Sequence, residues 1–171
     1  MIRLLSRAFP NGEVRVEIEN EEGALTVNLT TALSSSPDLA TALEQHASRY
    51  AWWAAIRCEC EDQRDHAALQ LDRTQSELFE HFRAECKAEG LAATLTEKVI
   101  KMRTAESPRV KQASDALHFA ESYLRVAEAA VKSFEARRHM LERLADRSRQ
   151  DWLGERAPED AADRMRKAIK R

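Results

Sequence analysis

Residues 108–153, PRVKQASDALHFAESYLRVAEAAVKSFEARRHMLERLADRSRQDWL, contain no glycine and, after Pro108 opens them, no second proline. Small and apolar residues recur in steps of three and four: Val110, Ala113, Leu117, Ala120, Leu124, Ala127, Val131 and Phe134. The steps then run on through Arg138, Leu141, Ala145, Ser148 and Trp152. That rhythm is a heptad seam, in which alternating large and small residues let a second helix approach closely. Pro108 suits a first helical position, where its missing N–H costs nothing, and Gly154 suits a stop.

The partner helix is read immediately upstream. Ser36-Pro37 reads as an N-cap and first helical residue, no breaker follows before Glu89, and Gly90 closes the run. At 1.5 Å per residue this helix would be about 80 Å long. Its seam holds Leu39, Leu43, Tyr50 and Trp53, then Ala67, Leu71, Leu78 and Phe82, while Arg57 to Arg64 is polar, with Glu59, Glu61, Asp62 and Asp65 nearby. Between the two long helices, Thr94-Leu95-Thr96-Glu97 fits a capping box and predicts a short helix to about Ala105. The expected fold is therefore mainly α: residues 37–89 and 108–153 as a long antiparallel helical hairpin with a short helix in its turn.

Two appendages flank this unit of residues 36–153. Val14, Val16 and Ile18 alternate with Arg15, Glu17 and Glu19, Asn20-Glu21-Glu22-Gly23 reads as a turn, and Leu25, Val27 and Leu29 alternate again. Residues 13–30 are thus predicted as a β-hairpin within an N-terminal unit of residues 1–33. At the other end Pro158 opens a predicted short basic helix within residues 157–171.

Composition excludes several classes. With 171 residues, 4 Gly, 4 Pro and 3 Cys, the chain is neither collagen-like nor a disulfide scaffold. Its 27 basic and 29 acidic residues steer it globally to neither nucleic acid nor membrane, so any polyanion site is local. No apolar run reaches the roughly 18 residues of a membrane span, and the expected location is the cytoplasm. Cys58 and Cys60 stand two apart, which on a helix points them about 200° apart and suits no metal site. The chain has no nucleophile elbow and no metal-ligand spacing, so it is read as non-enzymatic, with no catalytic residue and no cofactor. His66 and Asp62 read as a surface pair.

A two-helix hairpin leaves Trp52, Ile56, Leu69, Phe79, Phe119, Tyr123 and Met140 off its seam, and a lone β-hairpin is marginal in water. Self-assembly would bury these stripes between copies, and a homo-oligomer is favoured over a monomer in which hairpin and short helix fold back onto the long pair.

Positive charge is concentrated locally. Residues 97–111 hold Lys98, Lys101, Arg103, Arg109 and Lys111 against Glu97 and Glu106. Residues 137–149 hold five arginines, Arg137 and Arg138 first, against Glu142 and Asp146, and the tail carries Arg164, Arg166, Lys167, Lys170 and Arg171 without an acid. A charge run on a long helix is in many proteins only a solvated face.

In order and residue type the chain resembles the UvsY-like recombination mediators of phages. The resemblance lies in Tyr50-Ala51-Trp52-Trp53, in Glu97-Lys98-Val99-Ile100-Lys101-Met102-Arg103 leading to Ser107-Pro108-Arg109-Val110-Lys111, and in the second helix from Val110 through Arg137-Arg138. It spans roughly residues 40–150. It implies binding of single-stranded DNA and loading of a RecA-like recombinase onto strands covered by single-strand binding protein, by a homo-oligomer that is a ring in the family. Dispersed cations repeated by symmetry suit a strand that is held and then handed over. The expected DNA contacts are Lys98, Lys101, Arg103, Arg109, Lys111, Arg137 and Arg138, with the five tail cations as further contacts and Trp52 as a candidate base stacker. Family members carry a basic cluster late in the first long helix, whereas here Leu78-Phe79-Glu80-His81-Phe82-Arg83 offers Arg83 alone. The β-hairpin has no counterpart there and reads as an added oligomerisation element or docking edge. The alternative reading is an oligomeric helical scaffold or adaptor.

Overall fold

The computed structural model describes residues 2–20, 23–34, 38–90 and 93–169, with the side chains of 2–19, 23–34, 38–90 and 97–152. Three strands, β1 (Arg3–Ala8), β2 (Val14–Asn20) and β3 (Gly23–Asn28), precede four helices: α1 (Leu29–Leu33), α2 (Leu39–Ala88), α3 (Ala93–Glu106) and α4 (Pro108–Ile169). The long α2 and α4 pack antiparallel, with α3 folded against both at the turn end, as the heptad and capping signals predict. Gly90 ends α2 with φ +70°, a left-handed residue that a side chain would strain.

The N-terminal sheet has three strands rather than two, in the antiparallel order β1-β2-β3. Leu4 lies opposite Ile18 and Ser6 opposite Val16, while on the other side of β2 Val16 faces Val27 and Ile18 faces Leu25. The loop from β1 to β2 closes through Phe9 N–H to the Glu13 carbonyl (2.8 Å) and Gly12 N–H to the Phe9 carbonyl (3.0 Å), with Gly12 at φ +80°. A three-residue loop ending in a left-handed glycine is a standard hairpin connection. The predicted strand through Thr30 stops at Asn28, because the Asn28 carboxamide caps α1 by accepting from Thr31 N–H (3.1 Å). The Thr30 hydroxyl then accepts from Val14 N–H (2.9 Å), fastening α1 to the start of β2.

Two helix boundaries also differ from expectation. Ser36 and Pro37, the expected start of α2, lie outside the described residues; Asp38 caps the helix, its carboxylate accepting from the N–H groups of Ala40 and Thr41 (3.2 Å each) and from the Thr41 hydroxyl (2.5 Å). Those bonds, the Thr41 hydroxyl's first, hold its carboxyl below the usual value. Downstream, α4 continues through Gly154 and Pro158 to Ile169, so the separate C-terminal helix is the last part of α4. A proline removes one N–H from a helical ladder, and a 62-residue helix carries that local loss without ending.

The core lies where four elements meet. Leu4, Val16 and Ile18 of the sheet and Leu29 of α1 pack with Trp53, Ile56 and Cys60 of α2 and with Leu124, Ala127, Ala130, Val131 and Phe134 of α4. The sheet thus covers its own chain's helical pair, and Ile56, expected off the seam, is buried beneath it. The inward stripe of α2 accordingly includes Ala42, His46 and Cys60, while Leu43 faces out. Burial, with the Glu59 charge second, pushes the Cys60 thiol up to about 11. The polar middle of α2 finds its partner in the chain's own start: the Gln63 carboxamide, oriented to satisfy both groups, donates to the Ile2 carbonyl (3.0 Å) and accepts from Ile2 N–H (2.7 Å).

Candidate nucleic-acid interface

The turn end of the hairpin gathers five of the predicted contacts. Buried Ile100 and Thr104 anchor α3, leaving Lys98, Lys101 and Arg103 on its exposed surface, and Arg109 and Lys111 follow on the first turn of α4. Three of the five hold carboxylates: Lys101 with Glu97 (2.9 Å), Arg103 with Glu85 (3.8 Å) and Arg109 with Glu77 (3.2 Å). Lys101, its hydrogen bond first, holds the Glu97 carboxyl below its usual value. Lys98 and Lys111 are exposed and have no ion-pair partner among the described residues. Lys87, in the last turn of α2, is a third unpaired cation at this end. Sequence reading missed it because it lies outside the run 97–111, and the signal that finds it is its place in the final turn before Gly90.

Arg137 and Arg138 do not join this group. Arg138 stands 27 residues beyond Lys111 on the same helix, about 40 Å away, and pairs with Glu142 (3.4 Å). Arg137 contradicts the expectation outright, because only 5% of it is exposed and its Nη2 donates to the Ser34 carbonyl (3.0 Å). A side chain so enclosed cannot reach a strand. Arg49 makes the parallel contact, donating from Nη1 to the Ala32 carbonyl (2.7 Å), so two guanidiniums hold the end of α1. The side chains of Arg164, Arg166 and Lys167, and Lys170 and Arg171 altogether, lie outside the described residues.

Of the aromatic candidates, Trp53 is buried and Trp52 is partly exposed, with its ring edge-on to Trp53 at 5.1 Å. Trp52 lines a hollow of about 450 Å³ with Leu25, Ala24, Ile18 and Ile56. On α2 it is 35 residues from Lys87, about 50 Å from the basic end, so the two do not form one groove within a chain.

His46 is also buried, against the rings of Phe134 (6.0 Å) and Tyr50 (6.2 Å). Burial first, then the charges of Arg137 and Arg138, hold its pKa below the ordinary 6.5, with Glu142 opposing. The unfolded chain takes up this proton near 6.5 and the folded chain only at lower pH. Stability is therefore full above that value and falls as pH drops toward the folded one. Urea midpoints between pH 7.5 and 5.5 should fall in the native chain and fall less in His46→Gln.

Among the described residues no group of His, Cys, Asp or Glu is placed to hold a metal ion, and no helix is long and apolar enough to cross a membrane. No family model, curated protein or solved structure matches the chain.

Proposed function

We propose that the protein is a non-enzymatic recombination mediator that binds single-stranded DNA as a homo-oligomer. It would help load a RecA-like recombinase onto strands covered by single-strand binding protein. The observation carrying this reading is the turn end, where the last turn of α2 carries Lys87, α3 carries Lys98 and the first turn of α4 carries Lys111, all three exposed and without an ion-pair partner among the described residues. Lys101, Arg103 and Arg109 add side chains 68%, 42% and 63% exposed. Pairs this exposed contribute little, at most about 1 kcal/mol, so phosphates can replace the carboxylates. Such a patch is small for one chain, and repetition in an oligomer supplies the avidity.

Binding of a fluorescent oligo-dT should appear at about 50 mM salt and weaken steeply by about 200 mM. Replacing Lys87, Lys98 and Lys111 together by Gln should flatten the slope of log affinity against log salt by about 2 per chain contacting the strand, near 0.7 for each lost contact. Arg83→Gln, whose cation pairs with Glu80 at 3.6 Å one turn before Lys87, should weaken binding less than the loss of any one of the three unpaired lysines. A second reading, a helical scaffold, is favoured by the apolar residues left on the outer helical faces, Leu69, Phe119, Met140, Leu144 and Trp152. It stands alone if the native chain binds no strand at about 50 mM salt, where such contacts are strongest.

A further inference from the structure

Arg137 lacks a counter-charge. Its Nε and Nη1 are fully enclosed and have no hydrogen-bond partner, which leaves three N–H groups unsatisfied beside the one bond to Ser34. Arg49, across the helical pair, bonds to a carbonyl alone, and neither arginine has a carboxylate within ion-pair distance among the described residues. His46 lies one turn before Arg49 on α2, and its Nδ1 is likewise enclosed and unpartnered. The nearby acids are already engaged: Glu135 accepts from the Tyr50 hydroxyl (3.3 Å), and Glu142 is shared by Arg138 (3.4 Å) and His139 (3.3 Å).

Buried guanidiniums are kept by proteins when paired, and an unpaired one with idle donors calls for an unseen ion or water. Water would satisfy donors but not charge. We infer that Arg137, Arg49 and the Nδ1 of His46 form a site for a phosphate-class oxyanion at the junction of α1 with the helical pair. Two guanidiniums match the charge of a phosphate dianion, and their planar forks suit its oxygens. A hollow of about 700 Å³ reaches the site's margin, since its wall includes Ser34, the acceptor of Arg137, and Ser133, one turn before Arg137 on α4. Enclosure selects the source of the oxyanion: a free phosphate ion can enter where a polymer backbone cannot. The bound anion would tie the sheet and α1 to the helices, making their attachment depend on phosphate.

The test uses the full chain in phosphate-free buffer, with sodium phosphate added at ionic strength held constant by sodium chloride. The thermal midpoint should rise with saturation, by about 5–10 °C once phosphate exceeds its Kd roughly a hundredfold. Arg137→Met should lose that rise while keeping its helical signal, because an apolar chain of similar length fills the same space. Calorimetry on the native chain should give one phosphate per chain, and absence of saturable binding overturns the site even if Arg137→Met does not fold. An equal rise in sodium chloride alone, or in Arg137→Met, overturns it too. Displacement of bound phosphate by oligo-dT would assign the site to the strand's phosphodiesters and overturn the free-ion assignment.

Discussion

Phe134→Ala should lower the stability of the chain by about 3–5 kcal/mol, and with it the thermal midpoint by roughly 6–20 °C for a protein of this size. Phe134 is 0% exposed and belongs to the cluster where the sheet, α1, α2 and α4 converge, with the His46 ring 6.0 Å from its own. Removing the ring deletes apolar surface and leaves a cavity that backbone from several elements cannot move in to fill. Phe119→Ala is the internal control, because the same deletion on the same helix removes a side chain 57% exposed. It should cost under about 0.5 kcal/mol. Urea unfolding of both variants, with slopes compared to the native chain, checks the pair. A loss below about 1 kcal/mol for Phe134→Ala would mean that the four-element junction is not closed in solution.

The contrast between these two phenylalanines follows from how the chain is layered. A helix against one neighbour buries a single stripe, and only where the sheet and α1 add a third layer does the buried face of α4 widen to take in Ala127, Ala130, Val131 and Phe134 together. Away from that layer, large apolar side chains such as Leu69 and Phe119 stay exposed on the outer faces. The stability of the hairpin is thus concentrated near the sheet, while the unpaired lysines sit at the opposite, thinner end beside α3.

Much of this was legible because caps and breakers act locally. Gly90, the box beginning at Thr94, and Pro108 each placed a boundary within a residue or two, and alternation placed β2 and β3. β1 was hidden because its inward face offers only Leu4, following Ile2, before Ser6 and Ala8, while Leu5 lies on the outward face and spoils the alternation. α1 was hidden because Leu25, Val27 and Leu29 carry a period of two straight through the boundary. The overriding signal was Asn28 as a cap. The heptad template failed at Arg137 for a geometric reason. A straight helix falls about 20° behind a seven-residue repeat each time, so four repeats from Val110 carry Arg138 about 80° off the starting face. α1 then meets Arg137 in its place, through the Ser34 carbonyl. No sequence pattern places the drift accumulated over four repeats against a helix that the sequence itself disguises as a strand.

Val16→Asp should detach the sheet from the helices at a cost of about 4 kcal/mol or more. Val16 is 0% exposed on the central strand, opposite Ser6 of β1 and Val27 of β3, and belongs to the apolar cluster, while the nearby Arg7 and Arg15 already hold Glu17 and Glu13. The introduced acid must either stay charged without a partner or take up a proton, and both routes lose the packing of the strand on Trp53 and Phe134. A three-stranded sheet needs an apolar support to persist in water, so undocking should also unfold it. Amide exchange should show protection lost in β1, β2 and β3 and retained in α3 and in the parts of α2 and α4 that flank it, with most of the helical circular dichroism kept. Thr26→Lys, on the outward face opposite Glu17, should leave protection unchanged. Native protection of β2 in Val16→Asp would contradict the buried sheet, and loss of protection throughout would make sheet and hairpin one cooperative unit. Because Lys87, Lys98 and Lys111 lie at the far end of the helices, the detached variant also separates fold from site: if the turn end binds a strand, that binding survives the loss of the sheet, and if the sheet pairs copies of the chain, the avidity falls while the contact at each chain is kept.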